Sequence, residues 1–173
     1  MKRSIAIAQQ SGNPQGVLGR IIAFIMYFES KGMNQIGLDL LELRSDDKVL
    51  EVGFGHGKTI SKGCALTENG MFAGIDISKT MLSVAENYNK RLIKKGRVEL
   101  KLAGVDSIPY KDNYFDKVLT VHTIYFWENP SKSFIELHRV MKPVARLVIG
   151  FRFDSNAKQS FPADKNIGSC LDL

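Results

Sequence analysis

Residues 49–58 read Val-Leu-Glu-Val-Gly-Phe-Gly-His-Gly-Lys, an apolar run that passes into three alternating glycines. Val49 and Val52 are typical of a buried strand, and glycines at 53, 55 and 57 are typical of a tight turn whose backbone N–H groups approach a ligand. The carboxylate of Glu51 is costly to bury unless a cationic or hydrogen-bonding group meets it. The stretch therefore predicts a strand, a ligand-binding loop and a helix. A glycine-rich turn without a ligand is the plainer alternative.

The glycine spacing distinguishes this loop from two other nucleotide-binding motifs. The dinucleotide motif is G-x-G-x-x-G, whereas this chain has G-x-G-x-G and carries Lys58 where that motif has its last glycine. A P-loop needs a glycine five residues before Gly57-Lys58-Thr59, and that position holds Val52. The spacing disfavours a nucleotide-dependent oxidoreductase and a P-loop protein.

Strand-like and helix-like segments alternate from residue 48 onward. The strands are predicted at about 48–52, 71–75, 98–102, 117–121 and 146–151, and the helices at about 58–66, 79–95 and 131–141. Ser78 is a good N-cap for the second of these helices, and Gly96 is a good stop signal. This alternation predicts an α/β fold with a doubly wound, Rossmann-like, mostly parallel sheet flanked by helices. Ligands of such sheets bind at the carboxyl ends of the strands.

Asp76 ends the second predicted strand and belongs to the same edge of the sheet as the glycine loop. An acid at this distance from the loop can accept both hydroxyls of a ribose. The alternative is an acid that only stabilises the N-terminus of the following helix. The loop and the acid together indicate a cofactor that contains adenosine.

Composition and charge set the broad class of protein. The 173 residues are 44% hydrophobic and 24% charged, as expected for one globular domain. Cys64 and Cys170 form no metal-binding or disulfide pattern, so we expect no metal and a reducing, cytoplasmic location. The longest apolar run, residues 21–28, is too short for stable membrane insertion. The net charge of +6 comes largely from cations late in the second helix, where a solvated helix end explains them without nucleic acid: Lys90, Arg91, Lys94, Lys95 and Arg97.

Four sequence blocks resemble one known family. They are Val49-Leu-Glu-Val-Gly-Phe-Gly-His-Gly57, Gly74-Ile-Asp-Ile-Ser78, Ile108-Pro-Tyr110 with Asn113-Tyr-Phe-Asp-Lys-Val118, and Leu137-His-Arg-Val-Met-Lys-Pro143. In this order they resemble the class I S-adenosylmethionine-dependent methyltransferases, specifically the small-molecule branch of ubiquinone/menaquinone methyltransferases. The resemblance covers about residues 46–153. It implies S-adenosylmethionine-dependent methyl transfer to a small-molecule acceptor.

The resemblance also implies roles for individual residues. Glu51 would face the methionine end of the cofactor, Gly53 to Gly57 would wrap it, and Asp76 would bind its ribose. Residues around Val105 would present a backbone N–H to the adenine, and His122 would lie near the transferable methyl. The implied cofactor-binding set is Glu51, Gly53, Phe54, Gly55, Gly57, Asp76, Ile77, Met81, Gly104, Val105 and His122.

Methyl transfer from a sulfonium depends mainly on an in-line nucleophile, and it needs a general base only when the acceptor starts protonated. His122 is the candidate for such a base; the alternative is a strand-end histidine that shapes the cofactor pocket. Tyr125 and Trp127 are candidates for the acceptor site, although at least one aromatic of the run 125–127 is expected in the core. Residues 121–124 lack the Pro-containing blocks of enzymes that methylate nucleic-acid bases, so we expect no nucleic-acid partner.

We divide the chain into a flexible arm at 1–16, a helical cap at 17–44, the S-adenosylmethionine-binding core at 45–153 and an irregular tail at 154–173. The cap either covers the acceptor site or packs against the sheet. The family's C-terminal hairpin has no counterpart in the tail, so the last strand would leave an exposed sheet edge open to homo-oligomer formation.

Two further departures from the family concern single positions. The acid that contacts the adenine amine in the family falls on Gly104, and Asp106 lies two positions later. Val144-Ala145 replaces a usual pair of glycines, which predicts a strained turn. With the shortened C-terminus, these departures support a second hypothesis, a non-catalytic or degenerate cofactor-binding protein.

Overall fold

The computed structural model describes residues 32–151 of the chain. The predicted arm at 1–16, the first part of the predicted cap at 17–31 and the tail from residue 152 lie outside the described residues. The elements are α1 at 32–40, β1 (Lys48–Val52), α2 (Lys58–Ala65), β2 (Met71–Asp76), α3 (Lys79–Lys94), β3 (Val98–Leu102), β4 (Phe115–Val121), a 3-10 turn (Ile124–Phe126), α4 (Pro130–Val140) and β5 (Met141–Gly150).

The five described strands form one parallel sheet in the order β3-β2-β1-β4-β5. The chain runs from β1 outward to β3 and then crosses back to β4, so the strand order reverses between β1 and β4. Ligands of open α/β sheets bind in the crevice at such a reversal. The predicted α/β, Rossmann-like class is confirmed, and the glycine loop after β1 lies beside the residues that follow β4.

Alternate residues of β1 face the two sides of the sheet. Val49 belongs to the apolar layer that α2 and α3 cover, and Leu50 and Val52 belong to the layer that α4 covers. Each such side chain contributes about 1.5–3 kcal/mol when it is fully buried. Glu51 shares the face of Val49, so its carboxyl lies under the start of α2 at the carboxyl end of the strand.

The helix starts follow capping chemistry. The hydroxyl of Ser78 accepts a hydrogen bond from the Met81 N–H at 3.3 Å, which confirms Ser78 as the N-cap of α3. Helix α4 begins earlier than the predicted Ser131, because Asn129 accepts a hydrogen bond from the Lys132 N–H at 3.0 Å and Pro130 occupies the first position. Asn is a strong N-cap residue, and Pro is favourable in a first helical turn.

Strand β5 also begins earlier than predicted. Met141 pairs with Phe115 and Arg146 pairs with Lys117, so the intervening residues of β5 form an irregular bulge. Within this bulge Val144 has a φ of 59° and a fully exposed side chain. A β-branched residue is unfavourable in this region of backbone space, so the predicted strain at this turn is present.

The prediction of a solvated cluster of cations is wrong for Arg97. It follows α3 and donates hydrogen bonds to the carbonyls of Cys64 at 3.1 Å, Thr67 at 2.9 Å and Glu68 at 2.6 Å. These groups lie at and just beyond the end of α2, where carbonyls have no partner inside the helix. The guanidinium therefore fixes the turn that leads from α2 into β2.

Candidate functional site

A cavity of about 560 Å³ lies at the carboxyl ends of the strands. Its volume falls in the range of small-molecule sites. The structure brings the predicted site residues together around it, except for Gly57 and Tyr125. The predicted residues that line the cavity are Glu51, Gly53, Phe54, Gly55, Asp76, Ile77, Met81, Gly104, Val105, His122 and Trp127.

The glycine loop between β1 and α2 depends on left-handed backbone at three positions. The φ angles of Gly53, Gly55 and Gly57 are 75°, 53° and 72°. A Cβ at Gly53 would lie 2.3 Å from the Thr123 side chain, whereas a Cβ at Gly55 would meet no atom within 4 Å. The middle of the loop therefore faces open space. The N–H groups of the three glycines, however, already donate to the Ile75 carbonyl, the Asp76 carboxylate and the Phe54 carbonyl, so the prediction that these N–H groups approach a ligand is wrong for this structure.

Asp76 holds this loop from the end of β2. Its Oδ2 accepts a hydrogen bond from the Gly55 N–H at 2.9 Å, and its Oδ1 accepts one from the Ser78 N–H at 2.9 Å. Burial raises the pKa of Asp76, although these N–H groups favour the charged form. Each carboxylate oxygen retains a further lone pair that could accept a ligand hydroxyl. The contact with Ser78 means that the acid also stabilises the start of α3, so the two readings of Asp76 are compatible.

Glu51 is a buried carboxyl on the cavity wall, with only 6% of its surface exposed. Burial raises its pKa well above the ordinary value, and the nearby carboxylate of Asp76 adds to the effect. Hydrogen bonds from the Thr59 side chain and the Ile60 backbone act in the opposite direction. A cationic group of a ligand beside Glu51 would favour its ionised form.

Two histidines border the cavity. Burial, followed by the charge of Lys58, lowers the pKa of His56 to about 4, so its ring is neutral at pH 7. His122 follows β4 with a φ of 59°, and its backbone N–H donates to the Gly150 carbonyl at 2.7 Å. Its ring stacks on Tyr125 with a centroid distance of 6.3 Å. Left-handed backbone is unfavourable for a residue other than glycine, so the surrounding fold holds His122 in this conformation and thereby fixes the direction of its side chain.

The aromatic run after β4 divides between cavity, core and surface. Phe126 and Trp127 line the cavity. Trp127 also packs against the apolar layer under α4 and contacts Phe134 edge-on at 5.4 Å. Tyr125 is 44% exposed and lies outside the cavity lining, with its ring stacked on the ring of His122.

Gly57 lies outside the cavity lining because it packs against α3. A Cβ at this position would lie 2.6 Å from Asn89 Nδ2 and 2.9 Å from the Ala85 side chain. The third glycine of the loop is thus required by helix packing as well as by its φ angle.

Asp106 occupies the space next to Gly104. A Cβ at Gly104 would lie 2.8 Å from Asp106 Oδ1, and Asp106 Oδ2 lies 3.5 Å from Lys132 Nζ. All three residues line the cavity. The carboxyl of Asp106 therefore fills the volume that an acidic side chain at position 104 would enter.

Sequence reasoning missed several residues of the cavity wall. Six of them belong to α1, to the loop after β4 and to the first turn of α4: Asn34, Thr123, Glu128, Asn129, Lys132 and Ser133. The Asn129-Pro130 pair is a helix-start signal that could have located the first turn of α4 at the ligand-binding edge.

Residues 32–151 contain no group of three His, Cys, Asp or Glu side chains suited to a metal ion. No helix in this part of the chain has the length and apolar character needed to cross a membrane.

The sheet order, the glycine loop and the acid at the end of β2 define a class I methyltransferase fold. The model of the methyltransferase domain family matches residues 50–149, and the chain belongs to this family. The predicted class, S-adenosylmethionine-dependent methyltransferases, and the predicted cofactor, S-adenosylmethionine, are thereby confirmed.

Relatives and solved structures agree with this membership. The uncharacterized methyltransferase YdaC of Bacillus subtilis is 29% identical over 129 residues, which are 75% of this chain and 69% of YdaC. The demethylmenaquinone methyltransferase of Lactiplantibacillus plantarum is 32% identical over 62% of this chain and 46% of its own length. The crystal structure of a SAM dependent methyltransferase from Aquifex aeolicus is 30% identical with a TM-score of 0.61, covering 67% of this chain and 62% of that chain. The chain therefore spans about half the length of the quinone methyltransferase and under two thirds of the Aquifex protein.

Proposed function

We propose that this chain transfers a methyl group from S-adenosylmethionine to a small-molecule acceptor, with the cofactor in the cavity beside β1 and β2. The observation that carries the proposal is the hydrogen bond between Asp76 and the Gly55 N–H. It joins the carboxylate and the glycine loop on one wall of a single cavity. When bound there, the cofactor supplies an electrophilic methyl group on a sulfonium.

The residues present fit the chemistry of this cofactor. Asp76 offers acceptor lone pairs to the two ribose hydroxyls. Glu51 is a buried carboxyl with a raised pKa, and the ammonium of the methionine part would compensate its charge. Gly55 provides open space on the loop, since a side chain there would have no neighbour within 4 Å.

The adenine end of the cavity combines apolar and acidic groups. Ile77, which is 50% exposed, and Met81, which is buried, would contact the faces of the adenine. The backbone N–H of Val105 is assigned to a ring nitrogen. Asp106 is assigned to the exocyclic amine in place of an acid at Gly104, because its carboxyl fills the space beside that glycine. This assignment removes one of the reasons for the non-catalytic alternative.

We assign the acceptor to the end of the cavity beyond β4. His122, Phe126 and Trp127 are among the residues that line the cavity, and the largely apolar rings of Phe126 and Trp127 would suit an apolar acceptor. A relative in Lactiplantibacillus plantarum carries the name demethylmenaquinone methyltransferase, which agrees with a small, apolar or quinone-like acceptor rather than a nucleic-acid base. His122 would remove the proton if the acceptor is protonated when it binds.

Calorimetric titration tests the cofactor part of the proposal. The chain should bind S-adenosylhomocysteine and should release no heat with NADH, because its glycine spacing departs from the dinucleotide motif. Absence of heat with S-adenosylhomocysteine would overturn the proposal. Transfer of the labelled methyl group to members of a panel of quinone and phenol acceptors would then test turnover, and binding without any transfer would favour the non-catalytic alternative.

A further inference from the structure

Asn89 is a buried amide in the middle of α3. Its side chain is 1% exposed, although the neighbouring residues Asn87, Tyr88 and Lys90 are exposed. Asn is a weak helix former, and a buried amide is unfavourable unless it is hydrogen-bonded. The side chain should therefore have a specific partner in the interior.

That partner is the glycine loop. Asn89 Nδ2 donates one hydrogen bond to the Gly57 carbonyl at 3.0 Å and another to the Ala85 carbonyl at 3.0 Å. Ala85 belongs to the same helix, whereas Gly57 is the residue at which the loop enters α2. Because both acceptors are carbonyls, they define which end of the amide is the nitrogen.

We infer that Asn89 is a positioning residue that holds the end of the cofactor loop against α3. The inference rests on the proposed function, since the loop matters here as the wall of the cofactor site. Asp76, at the end of β2, accepts a hydrogen bond of 2.9 Å from the Gly55 N–H. Asn89, on the helix that follows β2, donates a hydrogen bond to the Gly57 carbonyl. The loop is thus attached at two points, two residues apart, to one strand–helix unit. A loop held in its binding geometry before the ligand arrives loses less conformational freedom on binding.

The oxygen of the Asn89 side chain indicates that this residue is not present for stability alone. Asn89 Oδ1 is buried and has no hydrogen-bond partner among the described residues, which is unfavourable for folding. The Gly57 carbonyl also accepts a hydrogen bond from the Ser61 N–H at 3.2 Å, and the Ala85 carbonyl belongs to the hydrogen-bond ladder of α3. Replacing the amide by an apolar side chain of similar size would therefore leave neither carbonyl without a donor. Such a change should release the loop without unfolding the chain.

The test compares Asn89→Leu with Asn87→Leu in the full chain without ligand. Asn87 lies on the same helix two residues earlier and is exposed, so it controls for the same chemical change. Amide hydrogen exchange followed by mass spectrometry would be measured for the loop and for β1 and β3. We expect exchange at residues 53–58 to become at least tenfold faster in Asn89→Leu, with β1 and β3 unchanged and the thermal midpoint not lowered. Asn87→Leu should exchange like the wild type.

Two results would overturn the inference. One is unchanged exchange at residues 53–58 in Asn89→Leu. The other is an equal acceleration in the loop and in β3, which would make Asn89 a residue of global stability only. Asn89→Asp serves as a second variant, because it places an oxygen against the two carbonyls and should accelerate loop exchange as well.

Titration with S-adenosylhomocysteine provides the functional readout. We expect Asn89→Leu to bind at least threefold more weakly than Asn87→Leu, and equal affinity would contradict the positioning role. Failure of the wild-type chain to bind would instead defeat the proposed function, and the exchange result on the ligand-free chain would still decide the role of Asn89.

Discussion

Replacement of Asp76 by Asn is the most informative perturbation of the proposed cofactor site. The carboxylate accepts hydrogen bonds from the Gly55 and Ser78 N–H groups, each at 2.9 Å, and its remaining lone pairs are assigned to the ribose hydroxyls. Asn has nearly the same shape but only one acceptor oxygen, and its NH₂ group would face one of the two backbone N–H groups. The substitution therefore removes acceptors and charge without opening a cavity.

The expected magnitude follows from the number of hydrogen bonds lost. A hydrogen bond to a charged group contributes about 1.5–3 kcal/mol. Loss of one such bond to the ribose corresponds to a decrease in affinity of roughly 10- to 150-fold, at about 1.4 kcal/mol per factor of ten. Asp76→Ala would remove both bonds and should weaken binding by roughly 150-fold or more on the same scale.

Calorimetry with S-adenosylhomocysteine measures this loss, and thermal unfolding without ligand checks that the variant is folded. Asp46→Asn is the matched control, because Asp46 is exposed and lies outside the cavity lining. We expect the control to bind like the wild type. Affinity of Asp76→Asn within twofold of the control, in a folded protein, would refute the assignment of Asp76 to the ribose.

Three further predictions concern the ligand-free chain. Burial raises the pKa of Glu51 above the ordinary value of 4.5, so the folded state binds more protons than the unfolded state above pH 4.5, and this group makes stability fall as pH rises toward its raised pKa. The unfolding free energy of the wild type should therefore decrease relative to that of Glu51→Gln as pH rises across that window. A difference between the two proteins that does not depend on pH would contradict the raised pKa. Arg139 forms two hydrogen bonds of 2.8 Å with Glu136 and donates to the Ile108 carbonyl at 2.9 Å, so Arg139→Lys should lower the unfolding free energy in urea by about 1–2 kcal/mol; an unchanged midpoint would argue against this network. Val144 is fully exposed with a φ of 59°, so Val144→Gly should raise the unfolding free energy by up to about 1 kcal/mol, whereas a decrease measured in urea would show that the turn is not strained.

The strands and the helices around the glycine loop could be predicted because local signals agree with one another there. Glycines follow β1, Ser78 caps α3, and Gly96 separates α3 from β3, so the bounds of β3 (Val98–Leu102) match the prediction. Strand β5 was predicted five residues too late. Pro143 reads as a strand break, whereas an irregular strand tolerates proline at a bulge.

Only the site residues that lie at the ends of strands could be predicted from the sequence. Asp76 is the last residue of β2 and His122 comes immediately after β4, so the edge of the sheet on which they lie was clear from the sequence. Tyr125 lies within a 3-10 turn and Trp127 follows it, and so short a turn has no periodicity that assigns side chains to the cavity or to the surface. The role inferred for Asn89 depends on a hydrogen bond to Gly57, which lies 32 positions earlier in the chain. The local sequence contains no signal for such a contact.

A crystal structure of the chain with S-adenosylhomocysteine would test the cofactor site most directly. We expect both ribose hydroxyls within hydrogen-bond distance of the Asp76 carboxylate, the sulfur between the glycine loop and His122, and the adenine amine facing Asp106. A ligand bound elsewhere, or a ribose turned away from Asp76 in the same cavity, would contradict the proposed site.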